Sequence, residues 1–276
     1  MHPFRNAFFL QHLFSMNNNF WLILIQRTLF VLMLFVATYA SYGQSAESTP
    51  KTNSFGGFVT ATNNGISLIP TFSLGKPAML FGMNVGRKLT FEPEFRFSME
   101  GKPWVFIFWW RYKFIYTEKV HFTAGINPSM RFVTVPITIN GVTNEVIIIN
   151  RNIALDLSPN YYLTKNISIG MYYLKSHSLE NNTIQNTDFI TINTEFSHIK
   201  LIKPFYFKFK PQFYFLRMDD RHGFYFTSRQ TLAMEDFPLS LESVINKEID
   251  ADILGSKDFV WNISLIYSFG KKYVEN

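Results

Sequence analysis

The sequence predicts an all-β fold, a closed antiparallel transmembrane β-barrel of about 12 strands (range about 10–14) preceded by a signal peptide. Three observations carry that prediction. From Leu89 to Ser98 every odd position is apolar and every even one polar or charged, a period of two without a slip. Successive side chains of a strand point to opposite faces, so one face here is aromatic and the other holds Glu92, Glu94 and Arg96. The same grammar recurs along the chain, and one apolar segment of export-signal type precedes it all.

Composition narrows the classes. The chain has 276 residues, no cysteine, 31 phenylalanines and 18% aromatic residues. A helical membrane protein shows repeated runs of about 20 apolar residues. Only one such run exists, at the N-terminus, and the mean hydropathy is +0.03. Alternation accounts for both facts, because the polar face of each strand cancels the apolar one in any window average. The lack of cysteine excludes disulfides, thiolate metal sites, cysteine nucleophiles and lipidation of an N-terminal cysteine. The formal charge of +6 does not point to nucleic acid, since the basic residues alternate with aromatics on strands and do not cluster on one helix.

At the N-terminus, Arg27, the apolar stretch from Thr28 to Ala37 and the small residues Ser41 and Gly43 supply the parts of a secretory signal. Residues 1–43 are read as that signal, cut beside Gly43 or Gln44, with Met16 as an alternative start. A retained anchor helix from Phe20 would bury Gln26 and Arg27 in hydrocarbon, which is costly. Residues 44–64 are expected as a polar periplasmic leader, 65–270 as the barrel and 271–276 as a periplasmic tail.

Strands are expected near 66–74, 77–85, 88–98, 103–114, 119–133, 145–162, 166–178, 187–199, 205–217, 222–233, 237–248 and 258–270. In 119–133, Val120, Phe122, Ala124, Ile126, Pro128, Met130 and Phe132 form an apolar face opposite Lys119, His121, Thr123, Asn127, Ser129 and Arg131. In 205–217 the odd positions, five Phe and Pro211, oppose Lys208, Lys210 and Gln212. In 103–114, Arg111 and Lys113 oppose Trp110, Tyr112 and Phe114. The weakest segment is 237–248, where Glu242 and Lys247 break the pattern; an even strand count argues for keeping it. Pro70, Pro93, Pro128, Pro159 and Pro211 fall inside expected strands on the apolar phase, where each marks a bulge or local bend.

A soluble sandwich would alternate in the same way with its apolar face inward. The apolar faces here carry bulky Phe, Trp and Tyr that are hard to interdigitate in one core, so the greasy face is read as facing lipid. Short connections at 86–87, 116–118, 164–165, 200–204 and 234–236 are assigned to the periplasm. Longer ones at 134–144, 179–186, 218–221 and 249–257 are assigned to the outside, which brings Tyr112, Tyr161, Tyr162, Tyr267 and Phe269 to the periplasmic boundary.

The segment Leu157 to Gly170, with Pro159, the pair Tyr161-Tyr162, the turn Thr164-Lys165-Asn166 and an alternating strand after it, resembles a strand–turn–strand of small outer-membrane β-barrel proteins. Tyr116 to Phe122 is a looser echo, and Trp261 to Phe269 is similar to the closing strand such proteins present to the barrel-assembly machinery. The signal ending Tyr42-Gly43-Gln44 and the Asn- and Phe-rich composition resemble outer-membrane proteins of Bacteroidota, porin-like in type. The resemblance implies fold, an outer-membrane location, lipid neighbours and the assembly machinery as a partner in biogenesis. It transfers no catalytic residue.

The candidate lumen-facing charges are Glu92, Glu94, Arg96, Arg111, Lys113, Lys119, His121, Arg131, Asp156, Glu195, Lys208 and Lys210. They fit an internal salt-bridge network filling a narrow barrel, because buried charges must be paired. They also fit a mixed-charge constriction that filters small hydrophilic solutes, mildly anion-preferring from its excess of cations. A structural or ligand-binding barrel without conductance is the alternative, with the outer loops as the binding surface. A lipid hydrolase would need Ser and His within hydrogen-bond reach, yet His121 and Ser129 are eight residues apart on one strand, about 26 Å. No Gly-x-Ser-x-Gly, metal-spaced His pair or phosphate-cradling Gly loop occurs. No catalytic, metal or cofactor residue is expected, and no nucleic-acid partner.

Overall fold

The computed structural model describes residues 52–139, 141–181 and 183–274. The signal peptide and residues 44–51 of the expected leader lie outside the described residues. Every regular element among the described residues is a strand: β1 (Thr52–Thr62), β2 (Ala78–Gly86), β3 (Leu89–Ser98), β4 (Pro103–Tyr116), β5 (Val120–Ile139), β6 (Val142–Thr164), β7 (Ile167–Ser178), β8 (Asn186–Lys200), β9 (Phe205–Met218), β10 (Arg221–Met234), β11 (Leu239–Ala251) and β12 (Phe259–Val274). Each pairs antiparallel with its neighbours in sequence, and β1 also pairs with β12 from Thr52↔Val274 to Thr62↔Ser264. The sheet therefore closes on itself and leaves no edge. Closure is what a hydrocarbon solvent demands, since it offers no partner for a free N–H or C=O.

Eleven of the twelve expected strands coincide with observed ones, and the twelfth corrects the expectation. Segment 66–74 is not a strand; it belongs to the β1–β2 connection. The first strand is Thr52–Thr62, inside the stretch read as leader. Its pattern was masked by Gly56, Gly57 and three threonines, which lower the amplitude of the alternation. Gly82 explains how so weak a strand still packs: opposite Phe58 in register, a Cβ there would lie 2.3 Å from the Phe58 ring.

The wall has the expected polarity. Phe95 packs on Phe106 and Phe108, Phe122 on Phe114, and Phe213 on Phe226. These contacts lie on separate stretches of the outer surface, where Phe213 is 61% exposed. A large apolar side chain that exposed on every strand would be an aggregation hazard in water and is the normal state against lipid tails. Of the two ends, that with β1's start and β12's finish (the terminal end) carries only short turns; the other, the far end, carries the three longest connections, 63–77, 179–185 and 252–258, beside short ones such as the expected loop 218–221, which is a two-residue turn.

The prolines do not make bulges. Pro93, Pro128, Pro159 and Pro211 each coincide with a gap in one ladder: between Gly82↔Glu94 and Val85↔Phe91, Ile107↔Ser129 and Trp110↔Ile126, Leu157↔Tyr173 and Asn160↔Gly170, and Asn193↔Gln212 and Phe196↔Phe209. The register is the same on both sides of every gap. The missing N–H opens one ladder while the other, such as Pro93↔Phe108 or Pro128↔Ile153, stays paired. Beside Pro128, the freed N–H of Phe108 donates to Asn127 Oδ1 at 3.1 Å. Pro70 lies in the β1–β2 connection.

The expected loop 134–144 is also corrected. β5 and β6 stay paired out to Ile139↔Val142, although β4 leaves β5 at Val105↔Arg131 and β7 leaves β6 at Asn152↔Ser178. The result is a two-stranded ribbon at the far end, closed by Gly141 at φ 78°. It makes no part of the closed wall. Joining Val133 to its partner Ile148 by a two-residue turn is expected to leave the folded barrel intact, seen as an unchanged shift between unboiled and boiled samples on a gel.

Candidate functional site

The lumen face is not polar throughout. On β4 the inward phase reads Val105, Ile107, Trp109, Arg111 and Lys113, apolar toward the far end and basic toward the terminal end. Ile107, Trp109, Ala154, Leu174, Phe189, Tyr214, Leu216, Tyr225 and Ile253 form one buried apolar cluster across the barrel, with Ile69, Phe72 and Tyr172 packed against it. Four rings step across neighbouring strands: Tyr172 to Phe189 (6.1 Å), Phe189 to Tyr214 (5.1 Å) and Tyr214 to Tyr225 (4.7 Å, stacked). We refer to this apolar layer as the septum.

Ile69 and Phe72 come from the β1–β2 connection, 63–77, which folds into the lumen. It is a self-bonded unit: Gly65 N–H donates to Lys76 O, Leu74 N–H to Gly65 O, and Phe72 N–H to Ile69 O across the turn Ile69-Pro70-Thr71-Phe72. Pro70 suits that turn because its fixed φ presets position i+1. Arg96 holds the unit to the wall, with Nη1 donating to Ile66 O at 3.0 Å and Nε to Glu94 Oε1 at 2.6 Å. Thr71 is fully buried; its hydroxyl meets Ser256 Oγ at 2.9 Å and accepts from Lys257 N–H at 3.2 Å, and Lys257 Nζ donates to Ser73. At the loop's outer base, Lys76 beside Glu100 holds that carboxyl below the usual carboxylate range.

Between the septum and the terminal end lies a polar cavity of about 630 Å3, roofed by Leu68 and Pro70 and extending to Tyr162, Ser168, Ser240 and Ser268. Its charged wall contains Arg111, Lys208, Lys210 and Arg229 with Glu195 and Glu242. Lys210 pairs with Glu195 (3.2 Å) and Arg229 with Glu242 (2.9 Å). Lys208 has no carboxylate partner among the described residues and sits 5.7 Å from the Tyr206 ring.

The sequence-predicted charges therefore fall into groups. Arg111, Glu92 and Asp156 converge: Arg111 Nε and Nη2 donate to Asp156 Oδ2 at 2.9 and 2.8 Å, Nη1 to Glu92 Oε2 at 2.5 Å, and the guanidinium lies 4.1 Å from the Trp109 ring. Glu92 also accepts from Thr90 and Asn84. Glu94 and Arg96 serve the loop anchor, and Glu195, Lys208 and Lys210 line the cavity. Lys113 donates to Arg87 O at the terminal rim, and His121 stacks on Tyr116 at 3.9 Å beside Tyr162. Two residues do not belong with them. Lys119 is in the turn before β5 and exposed, and Arg131 is exposed at the far end of β5. Arg229 and Glu242 were missed; Glu242, which broke the expected pattern of β11, points inward to meet Arg229 across the ladder.

Gly125 makes the central bridge. It lies between Arg111 and Asp156 in the strand register, and a Cβ there would be 2.7 Å from Arg111 Cγ and 2.6 Å from Asp156 Oδ1. Gly125→Val is expected to push the guanidinium off Asp156, whose side chain has no exposure, and to lower the denaturant midpoint of the micelle-bound barrel. A variant with an unchanged midpoint would mean that the bridge re-forms around a side chain.

Fold, outer wall and lumen together define a membrane-spanning β-barrel, porin-like in architecture. No protein-family model matches the chain, and no curated protein matches it. Among solved structures it is similar to the KdgM porin in complex with disordered oligogalacturonate (TM-score 0.49, 8% identity, 78% of this chain and 99% of that one). It is also similar to an outer membrane channel from Pseudomonas putida F1 (0.47, 8%, 83% and 98%) and to the NanC porin (0.43, 11%, 80% and 100%).

Proposed function

We propose that the protein is an outer-membrane, porin-like barrel held shut by its β1–β2 loop, and that small hydrophilic solutes cross only when that loop leaves the septum. The apolar belt and the short turns at the terminal end support an outer-membrane setting with both barrel ends in the periplasm. Residues 1–43 would direct export, and the closing strand β12 would engage the assembly machinery. The observation that carries the reading is the position of Ile69 and Phe72 against the buried apolar cluster of the lumen. An ion crossing such a layer must shed its water with nothing to replace it, so the layer acts as a gate. Beneath it, the cavity charges are mixed, with Lys208 unneutralised, which favours small anions mildly.

Planar-bilayer recording tests this. Support is a wild-type barrel that is silent at rest and a loop-excised barrel that conducts with a reversal potential on the anion side. A steady wild-type pore would remove the gate. Silence of the excised variant would favour the second reading, a non-conducting structural barrel, for which the apolar layer inside the lumen is the specific observation.

A further inference from the structure

We infer that the β11–β12 connection, residues 252–258, is the latch of the β1–β2 loop: the loop leaves the lumen only after this connection has let go of Thr71. This rests on the gate reading above and adds what holds the gate and the side from which it is released. β1 ends and β2 begins at the far end, so the loop hangs from the far rim and leaves by the far mouth. β12 is the neighbour of β1 in the closed sheet, which puts the β11–β12 connection at the next place on that rim.

The feet of the connection are fixed to the wall. Asp252 N–H donates to His222 O at 3.1 Å, its Oδ1 accepts from His222 N–H at 2.7 Å, and its carbonyl accepts from Arg221 Nη1 at 2.8 Å. Asp258 O accepts from Glu248 N–H at 2.9 Å. Between the feet, Ser256 N–H closes a turn on Ile253 O at 3.2 Å, with Gly255 at φ 78°. That turn brings Ile253 into the septum and Ser256 onto the loop.

Ser256 is the hub. Its single hydroxyl hydrogen goes to Glu248 Oε2, so its oxygen accepts from Tyr225 and from Thr71, each at 2.9 Å. Thr71 accepts in turn from Lys257 N–H, and Lys257 Nζ donates to Ser73 at 2.9 Å. This network closes only while the loop is in place. At the other end of the loop Arg96 holds Ile66 O. A contact near the base is a hinge, and one at the tip is a latch. Thr71 is the fully buried tip residue, and an unmatched hydroxyl costs most where water cannot replace its partner. Removing the Ser256 oxygen therefore penalises the closed state alone. The coupling is reciprocal: the loop must steady the connection as much as the connection steadies the loop.

The chain has no cysteine, so introduced cysteines report each element cleanly. In micelles, Ile253→Cys, 6% exposed in the intact barrel, is labelled with a bulky polar maleimide. The rate is expected to rise about tenfold or more when residues 66–74 are excised, and likewise when Ser256→Ala is added. Leu254→Cys, 71% exposed on the same turn, is expected to label equally fast in all three backgrounds. In bilayers, Ser256→Ala is expected to raise open probability about tenfold, and Thr71→Val, which removes the same contact from the loop's side, to match it. Oxidising the pair Thr71→Cys/Ser256→Cys is expected to abolish the openings of Phe72→Ala, and a reductant to restore them. Equal labelling of Ile253→Cys with and without the loop overturns the latch. So does an excised barrel that conducts while Ser256→Ala and Thr71→Val stay as silent as the wild type. An excised barrel that stays silent sinks the gate reading instead, and the labelling rates alone then decide whether the connection holds the loop. None of these positions takes part in a ladder, and the gel shift on boiling verifies that each variant keeps its wall.

Discussion

Excising residues 66–74, so that Gly65 continues through a short Gly/Ser turn to Gly75, is expected to convert a silent barrel into a conducting one. The loop contributes Ile69 and Phe72 to the septum. The rest of the layer consists of wall residues and Ile253 of the β11–β12 connection. Burial of even one large apolar side chain stabilises the shut state by about 1.5–3 kcal/mol, so open probability rises by more than about tenfold. The substitution Phe72→Ala removes part of that contact and is expected to give brief openings between the two extremes. At low salt, where screening is weak, Lys208→Glu in the excised barrel moves the reversal potential toward cations. If the excised barrel conducts but Lys208→Glu leaves selectivity unaltered, the permeation path does not run past β9. The wall itself survives excision, because the loop takes no part in any ladder.

Arg111→Met carries the largest expected cost in stability, about 3–5 kcal/mol. It strands Asp156, 1% exposed, and takes one partner from Glu92. Denaturant unfolding in micelles, followed by the boiled-to-unboiled gel shift, gives the number. The double variant Arg111→Met/Asp156→Leu is expected to recover most of the loss, because replacing both partners leaves no buried charge. Failure of the double variant to recover would mean that the guanidinium acts through Trp109 and Glu92 instead. Variants at the exposed pair Lys102–Glu145 (2.6 Å) provide the contrast, with an unchanged denaturant midpoint expected because solvent screens the pair.

Much of the wall was legible because its signal is a local one. Outward phases on β3, β5, β9 and β12 follow from a period of two, and hydrocarbon enforces that period on every lipid-facing residue. The strand count survived two compensating errors: β1 was hidden by its glycines, and segment 66–74 imitated a strand through Ile66, Leu68, Pro70 and Phe72. The septum left a trace that went unused. Trp104 to Trp110 is seven apolar residues in a row, the mark of a strand covered on both faces rather than one facing water inside.

What the sequence alone determined is the barrel: its alternation, its approximate number of strands and the phase that meets lipid, all consequences of side chains two residues apart sharing a face. What only the tertiary structure decided is that one loop packs into the lumen and which charges meet. Those depend on residues far apart in the chain, such as Thr71 with Ser256 or Arg111 with Asp156. Strand register and the inward path of one loop bring them together, and no local period encodes either.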